Sequence, residues 1–342
     1  MKPVARPRPS RRALQSVDGL AGNLTKSCAF TSQDCRALAM EPGSIDNLSI
    51  LYQSSNFIVV NKHWDIRIDS KMWYEKLTLQ SQLKYRFPEL ADPDTYYGFR
   101  FCHQLDFSTS GALCVALNKA AAGSAYKCFK ERMVTKAYLA LVRGHVSESR
   151  ATIRYAIGKN TTEGLTHMMC IEGTTGCENP KPCQSELVVL EHGMYSGDPV
   201  TKVLLQPLTG RTHQLRVHCS AIGHAIVGDF TYSFKKDGNP YRMMLHAYYL
   251  RIPTEQELVE VCAPDPFVTA MDSHWVPHRI MHQLDEVIQE LKDKASQAGD
   301  EEGSREAVLR DGGEERLSPA QSPGTEEQQA KCEQWLAEWE LE

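Results

Sequence analysis

The sequence predicts an α+β protein in which most of the ordered chain is strand. Short runs of alternating apolar positions recur from Leu48 onward, bounded by turn residues. Only a few stretches carry the three-and-four spacing of an amphipathic helix. With 342 residues, 42 % of them hydrophobic and 24 % charged, the chain is long enough to bury one large core and still leave tails.

The elements follow in order. SILYQSSNFIVVNK, 49–62, reads as two strands about a central turn, and Leu77 to Phe87 as an amphipathic helix. GFRFCHQLDFSTSGALCVALNK has strand character at both ends and a polar break, DFSTS, which places Asp106 on a loop between strands. Residues 118–131 are helical by propensity, with Ala121, Ala125 and Phe129 four apart. VTKAYLALVRG is a strand that puts Lys136 and Tyr138 on one face. Strands are then expected at Thr152 to Ile157, Leu187 to Leu190 and Val203 to Pro207. The Thr209-Gly210 turn leads into a helix over 212–223, with Leu215, Cys219 and Ile222 on one face and Arg211, Gln214 and His218 on another. MMLHAYYLRIP reads as a strand, and HRIMHQLDEVIQEL, with Ile280, Leu284, Val287 and Leu291 aligned, as a closing helix.

These elements bound one ordered domain at 40–291 between two extensions. Residues 1–39, proline-rich with seven basic and two acidic residues, read as a disordered extension; a mitochondrial transit peptide is the alternative, and MEPGS at Met40 resembles a start of its own. Residues 292–342, with six basic and fourteen acidic residues, read as an acidic disordered tail whose end carries Trp335 and Trp339 four apart, a small helix for the core or for a protein partner. The middle is nearly neutral, so a nucleic-acid partner must be met by a local basic cleft rather than by bulk charge. No apolar run approaches the roughly 18 residues of a membrane span. Eleven singly scattered cysteines without a secretory leader point to a reducing compartment, the cytoplasm.

Two segments concentrate chemistry. Asp106, read alone, is a loop-capping residue; a carboxylate among Ser, Thr and Gly is also placed for reaction. LTGRTHQLRVH, 208–218, gathers Arg211, His213, Gln214, Arg216 and His218 near a helix start, which reads either as a receptor for a carboxylate or phosphate or as a surface helix with solvated arginines. His213 and His218 are five apart, on different helical faces, and no Cys-x-x-Cys occurs, so no metal is expected. His103, beside an apolar strand, reads as a packing residue.

HQLDFSTSG (103–111), KAYLALVRG (136–144), LTGRTHQLRVHCSAIGHAIVGD (208–229) and LHAYYLRIP (245–253), with LYQSSNFIVVNK (51–62) ahead of them, resemble the RluA family of pseudouridine synthases in order and spacing. The resemblance covers roughly residues 48–255. It implies a long mixed, mainly antiparallel sheet flanked by helices and loops around a central cleft, and an RNA uridine isomerised to pseudouridine without cofactor. Residue by residue it implies Asp106 as the catalytic carboxylate, Tyr138 stacked on the target base, Arg211 paired with the aspartate and Leu245 lining the pocket. Gln104, Thr109, His213, Gln214 and Arg216 become substrate-binding candidates. The chain departs from the family at Gln104, where an arginine usually wedges into the RNA stack, and at His63, where proline usually follows Lys62. A catalytically retired RNA-binding or chaperone protein on the same fold is the alternative, but loss of Asp106, Tyr138 or Arg211 would mark it, and all three are present. A scaffold working through the tail helix is the other.

Overall fold

A computed structural model describes residues 41–95 and 98–310, with side chains as far as residue 297. The 1–39 extension and the Trp335/Trp339 segment lie outside the described residues.

The first predicted strand pair is β1 (Ser49–Gln53) and β2 (Phe57–Lys62). Ser54 Oγ accepts from the amides of Asn56 and Phe57 and so fixes the turn between them. The helix α1 (Leu79–Arg86) starts on a reciprocal cap: Thr78 Oγ1 accepts from Ser81 N–H and Ser81 Oγ from Thr78 N–H. It stops before Pro88, as the restriction on a pre-proline residue requires. β3 (Arg100–Phe101) and β4 (Ser110–Ala116) bracket the Asp106 loop, and α2 (Lys119–Lys130) follows with Asn118 Oδ1 accepting from Ala121 N–H.

β4 is buried along its whole length because a helix covers each face. Ala112, Cys114 and Ala116 pack with Ala121, Ala125 and Cys128 of α2, while Leu113 and Val115 pack with Leu79 and Leu83 of α1. A strand covered on both sides reads as a continuous apolar run, which SGALCVA is.

β5 (Thr135–Arg143), β6 (Arg150–Ile153), β10 (Ser185–Tyr195), β11 (Asp198–Pro207), β12 (Leu245–Pro253), β13 (Leu258–Cys262) and β14 (Trp275–Ile280) complete an eleven-stranded sheet. Its path is β1-β2-β4-β12-β5-β11-β10-β14, with β3, β6 and β13 paired alongside. All pairings are antiparallel except β4 with β12, where Ser110 and Gly111 lie opposite His246 and Ala247. The long mixed sheet is thus as expected. Gly111 has φ +113°, and a Cβ there would collide with the backbone of Ala247, so only glycine permits this junction.

Three expectations are corrected. The strand foreseen at Thr152 to Ile157 is two: β6 pairs with β10, whereas β7 (Ile157–Asn160) leaves for a separate sheet with β8 (Met169–Ile171) and β9 (Cys177–Lys181). The closing helix does not start at His278. Residues 275–280 form β14 against β10, with Trp275 buried opposite Tyr195, and α4 begins at Leu284 and runs to Arg310. Pro277 and the ladder to β10 override the helical spacing of Ile280, which is left exposed; Val287, Ile288 and Leu291 are the helical positions that reach the core. α4 therefore continues beyond Leu291, where the sequence reading ends the domain. Finally, α3 (Gln214–Ala221) starts two residues late, because His213 at its N-cap is left-handed, φ +53°. Among the described residues no helix is long and apolar enough to cross a membrane.

Two buried histidines give a pH-dependent stability. His103 Nε2 accepts from Cys114 N–H and its ring stacks on Phe129, the packing role read from the sequence. Burial, aided by the Lys136 charge, pushes its pKa down to about 3. Burial and the Arg242 charge likewise push His246 down to about 3. The unfolded chain protonates both near pH 6.5 and the folded chain does not, so stability falls as pH drops through that window. Urea denaturation is expected to show a loss of roughly 2 kcal/mol for each histidine between pH 7 and 5. An unchanged midpoint would show that these rings accept protons in the folded state.

Candidate active site

Asp106 opens a turn in which its carbonyl accepts the amide of Thr109, and Lys62 Nζ donates to Phe107 O from below. Lys62 is buried and also donates to the carbonyls of His63 and Ile66, so one ammonium ties the end of β2 to the Asp106 turn. Burial, with the nearby Arg242 charge, pulls its pKa down to about 7. The turn lifts the Asp106 side chain into a cleft of about 760 Å³ on the sheet's centre.

The cleft is lined by Tyr138 from β5, Leu245 from the start of β12, and Gln104, Thr109, Arg211, His213, Gln214 and Arg216, so the fold brings all nine sequence-derived candidates together. Their roles sort differently from the expectation. The arginine that pairs with Asp106 is Arg216, whose Nη1 lies 3.4 Å from Oδ2. Arg211 instead points Nη2 at Pro182 O, 3.4 Å away. The reason is the late start of α3: Arg211 precedes the helix, while Arg216 lies on its first turn and faces the carboxylate. Arg216 is itself held by the fully buried Asp229, with Nε to Oδ2 at 2.7 Å and Nη2 to Oδ1 at 2.9 Å. Burial opposes its charge, but the Asp229 hydrogen bonds and the charges of Asp229 and Asp106 carry its pKa upward.

Gln214 is also reassigned. Its Oε1 accepts from Thr209 Oγ1 and Arg211 N–H, and its Nε2 donates to Gln184 O and Ser185 Oγ, so the amide fastens the loop and has nothing left to offer a ligand. His213 Nδ1 is 2.8 Å from Tyr232 Oη, and burial lowers its pKa. Two buried polar atoms on the cleft wall have no partner among the described residues: Thr109 Oγ1 and Arg211 Nε. Such orphaned groups are costly unless something outside the chain satisfies them.

Tyr138 sits between Leu205 of β11 and Ala247 of β12, and burial plus the Asp106 charge raise the pKa of its phenol, which stays protonated. Lys136, two residues before it, also lines the cleft, and burial lowers its pKa to about 8. Together with Arg67, Lys130, Arg132, Arg211 and Arg216 it makes six cations on the wall against Asp69 and Asp106. This is a local basic cleft of the kind that a nucleic-acid partner of a near-neutral chain would need. The sequence reading passes over Arg67, Lys130 and Arg132, whose local patterns do not distinguish them from surface charges, and gives no role to Asp229, although it closes the 208–229 motif. No group of three His, Cys, Asp or Glu suited to a metal ion occurs among the described residues.

Residues 56–221 match a family model described as RNA pseudouridylate synthase. The chain is 67 % identical over 303 residues, 89 % of its length and all of the relative's, to RNA pseudouridylate synthase domain-containing protein 1 of Danio rerio. It is 65 % identical over 309 residues to the Homo sapiens protein of the same name, covering 89 % of this chain and 99 % of that one. With Dual-specificity RNA pseudouridine synthase RluA of Escherichia coli it shares 34 % over 207 residues, 60 % of this chain and 86 % of the relative. Among solved structures, Human RNA Pseudouridylate Synthase Domain Containing 1 superposes with a TM-score of 0.68 at 66 % identity, over 74 % of this chain and 98 % of that one. The eleven-stranded sheet, the Asp106 turn and these matches place the chain in the RNA pseudouridylate synthase family, among the relatives of RluA, a family of isomerases.

Proposed function

We propose that this chain isomerises uridine to pseudouridine in RNA by a reaction that depends on the Asp106 carboxylate, and that it does so in the cytoplasm. The observation that carries the reading is the Asp106–Arg216 pair beside Tyr138 in a cation-lined cleft. The reaction breaks the bond from C1′ to N1, turns the uracil and joins C1′ to C5; the C5 proton leaves and N1 gains one. A carboxylate can bond to C1′, stabilise positive charge there or remove a sugar proton, and Arg216 stands 3.4 Å away as its counter-charge in each case. The Tyr138 phenol, kept neutral, is a poor base for the C5 proton, which supports its flat face as the surface on which the detached ring turns. The cations neutralise phosphate, and extruding the base costs a few kcal/mol, which favours unpaired targets.

The direct test incubates the purified chain with a pool of cellular RNA containing labelled uridine, with a chelator present. Labelled pseudouridine is expected, at the same rate as without the chelator. Absence of product from every RNA class, or activity lost on chelation and restored by a stoichiometric metal, would overturn the reading.

Gln104 is exposed at the cleft mouth, with an uncharged amide where an arginine would pair with phosphate or stack on bases. Gln104→Arg is expected to speed reaction of a uridine in a duplex more than that of the same uridine in a loop. Equal gains on both, or none, would remove the wedge role from this position.

A further inference from the structure

Arg67 and Thr78 close the base of a loop through a parallel bridge, reinforced by the amides of Leu79 and Gln80 donating to the carbonyls of Arg67 and Ile68. Within it, Arg67 Nε lies 3.0 Å from Glu75 Oε1, Glu75 N–H donates to Met72 O, and Met72 N–H donates to Ser70 Oγ. The loop is therefore a tied structure, yet its tip presents Met72, Trp73 and Tyr74 to solvent at 56, 88 and 62 % exposure. The Trp73 and Tyr74 rings meet edge to face, centroids 5.9 Å apart, a contact that restrains both while leaving them largely exposed. Three consecutive large apolar side chains left bare on a constrained loop mark a contact surface rather than a packing residue.

Its position names the occupant. Arg67, Ile68 and Asp69, the start of this loop, line the active-site cleft, and the Arg67 guanidinium lies 5.4 Å from the centroid of Phe107, the residue after Asp106. The loop that carries the tip thus starts in a wall whose six cations suit a polyanion. Aromatic faces beside a cationic groove are how unpaired nucleotides are bound without regard to sequence, the charges taking the backbone and the rings taking the bases. We propose that Met72, Trp73 and Tyr74 form a stacking platform for unpaired nucleotides flanking the uridine over Tyr138, so that the site takes single-stranded RNA longer than the target nucleotide. This rests on the reading of the cleft as an RNA site.

The test measures binding of the full chain to a fluorescein-labelled 15-nucleotide single-stranded RNA with one central uridine flanked by adenines, by anisotropy at several salt concentrations. Trp73→Ala is expected to weaken binding about five-fold or more, Tyr74→Ala by a smaller factor, and Trp73→Phe by less than either. The slope of log affinity against log salt is expected to stay at the wild-type value, because lost stacking releases no counterions, whereas a distorted cleft would lower it. Since Trp73 is almost fully exposed, its variants should melt at the wild-type temperature. If wild type binds the RNA and Trp73→Ala binds equally well, the platform is overturned and the enzyme reading stands. If wild type does not bind, both fall. Unchanged RNA affinity combined with loss of a concentration-dependent dimer in sedimentation would assign the tip to a second copy of the chain and also overturn the proposal.

Discussion

Asp106→Asn is expected to reduce pseudouridine formation to below a thousandth of the native rate, a loss of about 4 kcal/mol in transition-state stabilisation. The substitution isolates the charge. Asparagine forms the same turn as aspartate, so the Asp106 carbonyl can keep its bond from Thr109 and the loop its tie to Lys62. Arg216 retains both bonds to Asp229, so the wall of the cleft is expected to stand. RNA affinity should therefore change little. A purified variant working at even a tenth of the native rate would show that the carboxylate is not the reacting group.

Arg216→Ala is expected to be nearly as damaging to turnover and, unlike the first change, to destabilise the fold. It strips the counter-charge from two carboxylates at once, and one of them, Asp229, is fully buried. Leaving a buried charge without its partner costs about 3 to 5 kcal/mol. The chemical effect is separable by assaying at a temperature where circular dichroism shows the variant folded, and by adding free guanidinium, which should restore part of the rate. Arg216→Lys keeps a charge but loses the fork that grips Asp229, and is expected to recover little. Arg211→Ala, by contrast, should raise KM more than it lowers kcat, since Arg211 bonds to a backbone carbonyl and not to Asp106. If Arg211→Ala proves the worse of the two for kcat, the pairing described here is wrong.

The contrast between these two arginines shows where the sequence stops being legible. Asp106 on a loop between strands and Tyr138 on the face of Lys136 are local facts of patterning, whereas the cleft that they share with Leu245 is legible only through the family resemblance. Which arginine reaches the carboxylate depends on where α3 begins. That start is set by a left-handed His213 and by Gln214 fastening the preceding loop to β10, neither of which has a sequence signature. β14 fails for a related reason: the spacing of Ile280, Leu284, Val287 and Leu291 is a true helical pattern in its last three members, and only pairing with β10 shows that the first belongs elsewhere. β8 and β9 are too short to alternate visibly, and Pro180 lies within β9, which a proline tolerates only because that strand is an edge.

The junction of β4 with β12 also orders events during synthesis. Ser110 Oγ and His246 Nδ1 lie 2.7 Å apart in space but 136 residues apart in the chain. At about 5 to 20 residues per second, a ribosome delivers the second strand on the order of ten seconds after the first. Through that interval β2, β4, α1 and α2 can gather around their own apolar contacts, with Asp106 already on its turn, while the strand that brings Leu245 is still unmade. Catalytic competence therefore arrives late and all at once. A nascent chain released before residue 245 carries the aspartate and the tyrosine but lacks Leu245 and the strand that joins β4 to β5.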